Sequence, residues 1–302
     1  MTYIIEKRGE NVDKQQSNYE LWTEFPYAGE EQPPRNGVEP SAGSWRTHYI
    51  KKNEDGDFET LSGTPINWPI RHPNTINWNQ QLRVVQRVNR NLTEREITIV
   101  KFWGAGPPSK QWLPIVDRLI DIYAVPAPRA ARILGAFFAG LNDAMIVTWH
   151  FKYKWLVARP NQLDQNLATV ICTPRHPSYP SGHATLSGAA ATILSYFFPA
   201  QRQRLYALAE EAAMSRLYAG IHFPVDNQQG LRLGRQIGLI AVRELQKDRN
   251  ADGSIVDTPY REYRDAELMP PPYELALPFD YDNSCDSLVV DTDDGSIDTN
   301  PG

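Results

Sequence analysis

Residues 179–198 read YPSGHATLSGAAATILSYFF. Pro180 closes a loop, and Ser181 is of the type that caps a helix N-terminus. From Ser181 to Phe198 the run is apolar and rich in small residues, with no strand-like alternation. Helical patterns stand on both sides of it. LTEREITIVKFW carries Thr93 and, three residues later, Glu96, the pattern of a capping box. QWLPIVDRLIDIYAV follows, with Pro114 expected in a first helical turn. A long helix is expected from about Pro128 to Val157, where Gly135, Ala139, Gly140 and Ala144 would let neighbours approach closely. Ala200–Leu217 and Val225–Gln246 read as two more. The expectation is an all-α fold, a bundle in which helix packs on helix.

The ends differ from this core. Residues 1–92 read as an irregular N-terminal arm, rich in Pro, Gly, Asn and Trp and packing by its tryptophans, as in SGTPINWPIRHPNTINW. Residues 93–247 read as the helical core, and residues 248–302 as an irregular extension, Pro-rich and then acidic. The chain has 302 residues, 41 % hydrophobic and 11 % aromatic, enough apolar surface for a large core. Its net charge of −5 argues against nucleic acid as a partner. Two cysteines, Cys172 and Cys285, make neither a disulfide framework nor a zinc site alone, and they are compatible with a reducing compartment. The N-terminus has no apolar run of signal-peptide length. The longest apolar stretch, Gly188–Phe198, falls short of the roughly 20 residues a spanning helix needs. The expectation is a soluble, cytoplasmic protein without a membrane span, with non-classical export left open.

Three segments carry chemistry. Lys152 and Arg159 stand in FKYKWLVARP; Ser181, Gly182 and His183 follow Tyr179-Pro180; Arg216, His222 and Asp226 stand in SRLYAGIHFPVD. A tetrahedral oxyanion needs donors from several directions. Arg offers a planar fork and Lys a point charge. The N–H groups at the start of the 181–198 helix add donors and a favourable dipole, and Gly182 lets the backbone approach an anion. Lys152 lies near the end of its helix, and Pro160 stops that helix with Arg159 at its rim. Asp226 is placed to accept from one ring nitrogen of His222, orienting the ring and raising its basicity. Singly, each fragment has a plainer meaning: a solvated cation, an N-cap, a structural histidine. Together, three cations beside two histidines would repel one another in a dry site, and a bound anion resolves that conflict.

In this order and spacing the segments resemble the signature of the type 2 phosphatidic acid phosphatase (PAP2) superfamily, over about residues 95–245. That superfamily includes acid phosphatases, lipid phosphatases and vanadium-dependent haloperoxidases. The resemblance implies a helical bundle with phosphate or vanadate at its centre. Lys152, Arg159, Ser181, Gly182 and Arg216 would hold the equatorial oxygens. His222 would be the covalent partner, binding vanadium or attacking phosphorus, with Asp226 steadying it and His183 as acid–base residue opposite. VKFWGAGPP with Gln111-Trp112, and Asn142-Asp143-Ala144, resemble the bacterial haloperoxidase-like branch. Trp149 matches a tryptophan of the chloroperoxidase pocket and His176 a histidine of the bromoperoxidase pocket, so a halide pocket is expected at Trp149 and His176.

The peroxidase branch implies vanadate as cofactor and hydrogen peroxide and halide as substrates, with Lys152 polarising the peroxide. The phosphatase branch implies a phosphomonoester and a phosphohistidine intermediate. Related proteins are often homodimers, and the N-terminal arm is suited to embrace a neighbour. A non-catalytic protein on the same fold is the competing class; intact motifs with a histidine pair argue against it. Separately, Asp248, Asn250, Asp252, Gly253 and Ser254 resemble the start of a calcium loop, with Pro259 where a bidentate Glu is expected. The acidic tail at Asp291–Asp298 is a weaker version of the same pattern.

Overall fold

Helices begin where the sequence supplies a cap or a proline. The computed structural model describes residues 17–271, 273 and 284–290; the acidic tail at 291–298 lies outside them. Asn77 caps α1 (Trp78–Asn89) through a bond from Gln80 N. At Thr93 the expected capping box forms, with Glu96 N donating to Thr93 Oγ1 at 3.3 Å and Thr93 N to the Glu96 carboxylate at 2.8 Å. It opens α2 (Glu94–Gly104). Prolines stand in the first turns of α3 (Pro108–Ile122) and α4 (Ala127–Trp155), where a missing N–H costs nothing. A short α5 (Pro160–Leu163) precedes α6 (Gly182–Phe197), which Ser181 caps. Then come α7 (Arg202–Tyr218) and α8 (Pro224–Leu245).

The sequence-derived helices of the core form with ends shifted by a few residues. Pro114 is a difference: α3 starts earlier than expected, so the proline lies inside it and not in its first turn. The arm differs more. It contains α1 and a hairpin of β1 (Ile50–Lys52) and β2 (Phe58–Thr60), antiparallel with Lys51 opposite Glu59. The apolar stripe of α1 is short, and it gains its order by packing with Leu217, Phe223 and Val225. The arm does pack by tryptophans. Trp78 meets Tyr179 and Phe223 edge-on, and Trp68 meets Phe58 and Phe151. Asp143, fully buried, accepts from the backbone N–H groups of His48 and Tyr49 and so pins the arm to α4.

At the centre is α6. All its residues are buried except His183, Ser195 and Tyr196. It touches α3, α4, α7 and α8. Small side chains make this possible. A Cβ on Gly188 would stand 2.7 Å from Leu231 O, and one on Gly230 2.8 Å from Ser181 O. Gly140 faces Ile193 and Ala241 as expected, whereas Gly135 faces open space and mediates no approach. By length and composition α4 is long and apolar enough to cross a membrane, and half of its most apolar window is buried in the bundle.

The cysteines differ from expectation. Cys172 and Cys285 form a disulfide, a bond that persists in oxidising surroundings. It ties residues 284–290 to the loop after α5. Thr169 N donates to Leu288 O, Val290 N to Thr169 O, and Leu288 N to Ala28 O.

Two outcomes are expected in solution. Gly234→Ala drives a methyl into the Thr185 carbonyl and within 2.9 Å of Ala189 N. Overpacking against backbone costs about 1–3 kcal/mol, so Tm falls by several degrees in thermal denaturation, while Gly135→Ala does not lower it. Thiol titration of the denatured, unreduced protein finds no free cysteine. Reduction then lowers stability by about 2–4 kcal/mol; a free thiol pair in the native chain would contradict this.

Candidate oxyanion site

The last turn of α4 carries Lys152 inward, and Leu156, with φ of 50°, ends that helix in the left-handed region. The chain then doubles back, so Arg159 becomes the N-cap of α5. It is fully buried, not at a rim. The loop after α5 brings residues 176–178 beneath both cations. Arg216 comes from the last turn of α7. Gly220, with φ of +77°, turns the chain so that His222 precedes α8 and Asp226 lies in its first turn.

Backbone carbonyls hold the cations apart. Lys152 Nζ donates to Pro177 O (2.6 Å) and Ser178 O (2.7 Å). Arg159 donates to His176 O (3.0 Å) and Ile221 O (2.7 Å). Arg216 donates from Nε to Ser215 Oγ (2.9 Å) and from Nη2 to Val100 O (3.3 Å). A Cβ on Gly104 would stand 3.1 Å from Ile171 Cδ1 and 3.5 Å, an ordinary contact, from Arg216 Nη2. Ser181 Oγ accepts from Ala184 N at 3.4 Å, and its N–H donates to Asp226 O. The Gly182 and His183 N–H groups begin α6 and have no acceptor within the helix.

Hydrogen bonding fixes the ring nitrogens. His222 Nδ1 lies 2.8 Å from Asp226 Oδ2 and donates to it, as expected. Its Nε2 therefore carries the lone pair, which accepts from Arg159 Nη1 at 3.0 Å. His183 Nε2 donates to Trp103 O at 2.9 Å, leaving Nδ1 as the nitrogen that titrates. His176 Nδ1 accepts from Arg159 Nη2 at 3.0 Å. The rings of Trp149 and His176 lie 4.9 Å apart, so the two expected halide-pocket residues do meet.

Burial controls the charges. It pushes Lys152 well below the ordinary lysine value, and Arg159 adds to the effect. Burial lowers Arg159, and burial with Arg159 beside it lowers Arg216. His183 is lowered by burial and then Arg216, and His222 by burial and then Arg159 and Lys152. Burial lifts Asp226 to about 6, opposed by a 2.5 Å bond from Ser178 Oγ and by Lys152.

Sequence reading missed several supports. Ser178 bonds the carboxylate that holds His222. The C-terminal carbonyls of α2 serve Arg216 and His183, and Glu211 anchors Trp103 by its indole N–H (3.0 Å). Ser178 stands immediately before the quoted 179–198 stretch, and nothing in one sequence reveals what its hydroxyl meets. The calcium-like segment follows α8. Asp248 pairs with Arg132, Asp252 Oδ1 accepts from Ser254 N and Oγ, and Asn250 Nδ2 donates to Ser254 Oγ. The segment is a turn closed by its own bonds, and among the described residues no group of three or more His, Cys, Asp or Glu side chains is placed to share a metal ion.

Residues 132–249 match the family model of the PAP2 superfamily. The chain is 30 % identical over 132 residues to decaprenylphosphoryl-5-phosphoribose phosphatase of Mycobacterium tuberculosis, covering 43 % of this chain and 68 % of that one. It is also 30 % identical over 99 residues to the vanadium-dependent bromoperoxidase of Corallina officinalis, covering 24 % of this chain and only 17 % of that one. The crystal structure of a bacterial vanadium-dependent iodoperoxidase superposes with a TM-score of 0.57 at 23 % identity, over 73 % of this chain and 60 % of that one. A holo bacterial vanadium-dependent chloroperoxidase gives 0.54 at 16 %, over 72 % of this chain and 58 % of that one. These structures share the helical fold. The chain belongs to the PAP2 superfamily, whose members named here are enzymes of two kinds.

A bound oxyanion favours the charged form of each lowered group, so binding takes up protons. The bound values lie above the free ones, and affinity is lost as pH rises between them. Sulfate isolates this effect, because its own charge is constant across the neutral range. Calorimetry at fixed ionic strength is expected to show sulfate affinity falling as pH is raised through neutrality. Affinity that is flat or rises with pH would sink the cation-site reading.

Proposed function

We propose that the chain is an enzyme acting on a tetrahedral oxyanion through His222, and that its reaction is that of a vanadium-dependent haloperoxidase. One observation carries the oxyanion reading. Lys152, Arg159 and Arg216 are all buried to within 1 % of full enclosure, and Asp226 is the carboxylate that faces them. Three positive charges against one negative leave the site in deficit of an anion carrying about two charges.

The residues fit vanadate. The donor set is made of guanidinium, ammonium, hydroxyl and backbone N–H groups, suited to oxygens, with one imidazole lone pair at His222 Nε2. Lys152, Arg159, Arg216, Ser181 and Gly182 would hold the oxygens and His222 would ligate the vanadium. Vanadate, when bound, supplies Lewis acidity toward hydrogen peroxide without changing oxidation state. The chain's own work is to orient and to move protons. Asp226 keeps the His222 proton on Nδ1. Trp103 O keeps the His183 proton on Nε2, so Nδ1 is free to take or give one. Lys152 places positive charge beside the reacting oxygens. The paired Trp149 and His176 rings support a halide subsite.

A second reading, phosphomonoester hydrolysis, is supported by the 2.8 Å bond from His222 Nδ1 to Asp226, which raises the nucleophilicity of Nε2. Arg159 would release Nε2, which would attack phosphorus as the ester P–O bond breaks, with His183 protonating the departing oxygen. His183 would then deprotonate the water that cleaves the phosphohistidine.

The test is a paired assay on metal-free protein, with and without orthovanadate. One arm supplies bromide or iodide with hydrogen peroxide, the other p-nitrophenyl phosphate. Vanadate-dependent halogenation is expected, lost by roughly a thousandfold or more in His222→Ala. Phosphatase turnover that vanadate inhibits, with no halogenation, would replace the peroxidase reading by the second. Neither activity, with no anion bound, would leave the non-catalytic class.

A further inference from the structure

Met145, Trp149 and Lys152 follow one another on α4 at helical spacing and so share one face of that helix. Lys152 is the buried end of this row; Met145 and Trp149 are partly exposed. Both reach over the start of α6. A Cβ built on Gly182 would stand 3.5 Å from Trp149 Cζ3 and 3.8 Å from Met145 Cε. The backbone that offers its N–H groups to an oxyanion thus lies directly beneath an indole edge and a thioether. The His176 ring stands 4.9 Å from the indole.

This indole is held in place from outside the site. Trp149 Nε1 donates to Val38 O at 3.0 Å, and Tyr153 Oη donates to the same carbonyl at 2.8 Å. Val38 N in turn donates to Arg175 O at 2.8 Å. The arm can lie this close because residue 37 is glycine: a Cβ there would stand 2.5 Å from Tyr153 Oη. The ring therefore loses little further freedom when something packs on it, and what it offers is apolar surface and a π-edge.

We propose that Trp149, fixed by the Gly37–Val38 segment, is a specificity-determining residue that selects oxyanions bearing an aromatic organic group. It rests on the oxyanion reading of the site and bears on the ester-hydrolysis reaction, in which the oxyanion carries an organic group. The group attached to the oxyanion lies against Trp149 while the charged oxygens meet the cations. The probes are phosphate, methylphosphonate and phenylphosphonate, which share the charged head and are not hydrolysed at a P–C bond.

Calorimetry on the metal-free full chain is expected to show phenylphosphonate binding about tenfold tighter than methylphosphonate, the scale of one favourable aromatic contact with its buried area. Trp149→Ala brings that ratio close to one; a purely structural loss would weaken both probes alike and leave it intact. Gly37→Ala, away from the oxyanion, lowers the ratio by disturbing the shared Val38 acceptor, and it serves if the tryptophan variant fails to fold. Equal binding of the two phosphonates to the native chain overturns the inference and spares the oxyanion reading. A ratio that survives both variants removes Trp149 from the role. Failure of all three probes to bind overturns the reading beneath it.

Discussion

Lys152, Arg159 and Arg216 are cations taken out of water and set close together, and the rest of the structure can be understood as what makes that tolerable. Left alone they would expel one another or lose their protons. Main-chain carbonyls at 176–178 and 221 and the C-terminal turn of α2 meet them instead, so each cation keeps at least one strong acceptor. The C-terminal end of α2 also places the negative end of a helix dipole beside Arg216 and His183. These acceptors lower the cost of burial without cancelling the charge. The remaining positive potential is what the proposed oxyanion would meet, and burial first and that potential second depress His183 and His222.

Holding carbonyls to a few tenths of an ångström requires stiff supports. The α6–α8 contact supplies one, because glycines on α8 bring backbone against backbone. It places the start of α6 beside the start of α8, so Ser181 N bonds Asp226 O and the motif around Ser181 is locked to the one around His222. The arm supplies another. Tyr27 Oη donates to Pro174 O and Val38 N to Arg175 O, steadying the loop that carries the carbonyls under Lys152 and Arg159. From the other end, residues 284–290 are bound to Thr169 and, by the disulfide, to Cys172. Segments far apart in the chain thus converge on one loop.

The histidines show how geometry assigns roles that residue type leaves open. Either nitrogen of a histidine can hold the proton. Asp226 decides this for His222 and the Trp103 carbonyl for His183, with opposite results. One ring presents Nε2 and the other Nδ1. Ser178 belongs to the same arrangement, since its hydroxyl occupies the Asp226 oxygen that holds His222.

The sequence by itself determined the helical class, the Thr93 capping box, the order of the core helices and the eight residues from Lys152 to Asp226 that gather at the site. It could do so because helix periodicity, caps and the three motifs are local, written within a few residues of one another. Only the tertiary structure decided that Arg159 is buried, that Ser178 bonds Asp226, that the cysteines pair, and that Asp248 meets Arg132. It also decided that Val38 fixes Trp149. Each of these depends on two segments separated by tens of residues or more, or on whether a side chain ends in solvent or under a neighbour. Local propensity carries no record of either, because distance along the chain sets the first and packing of the whole bundle sets the second.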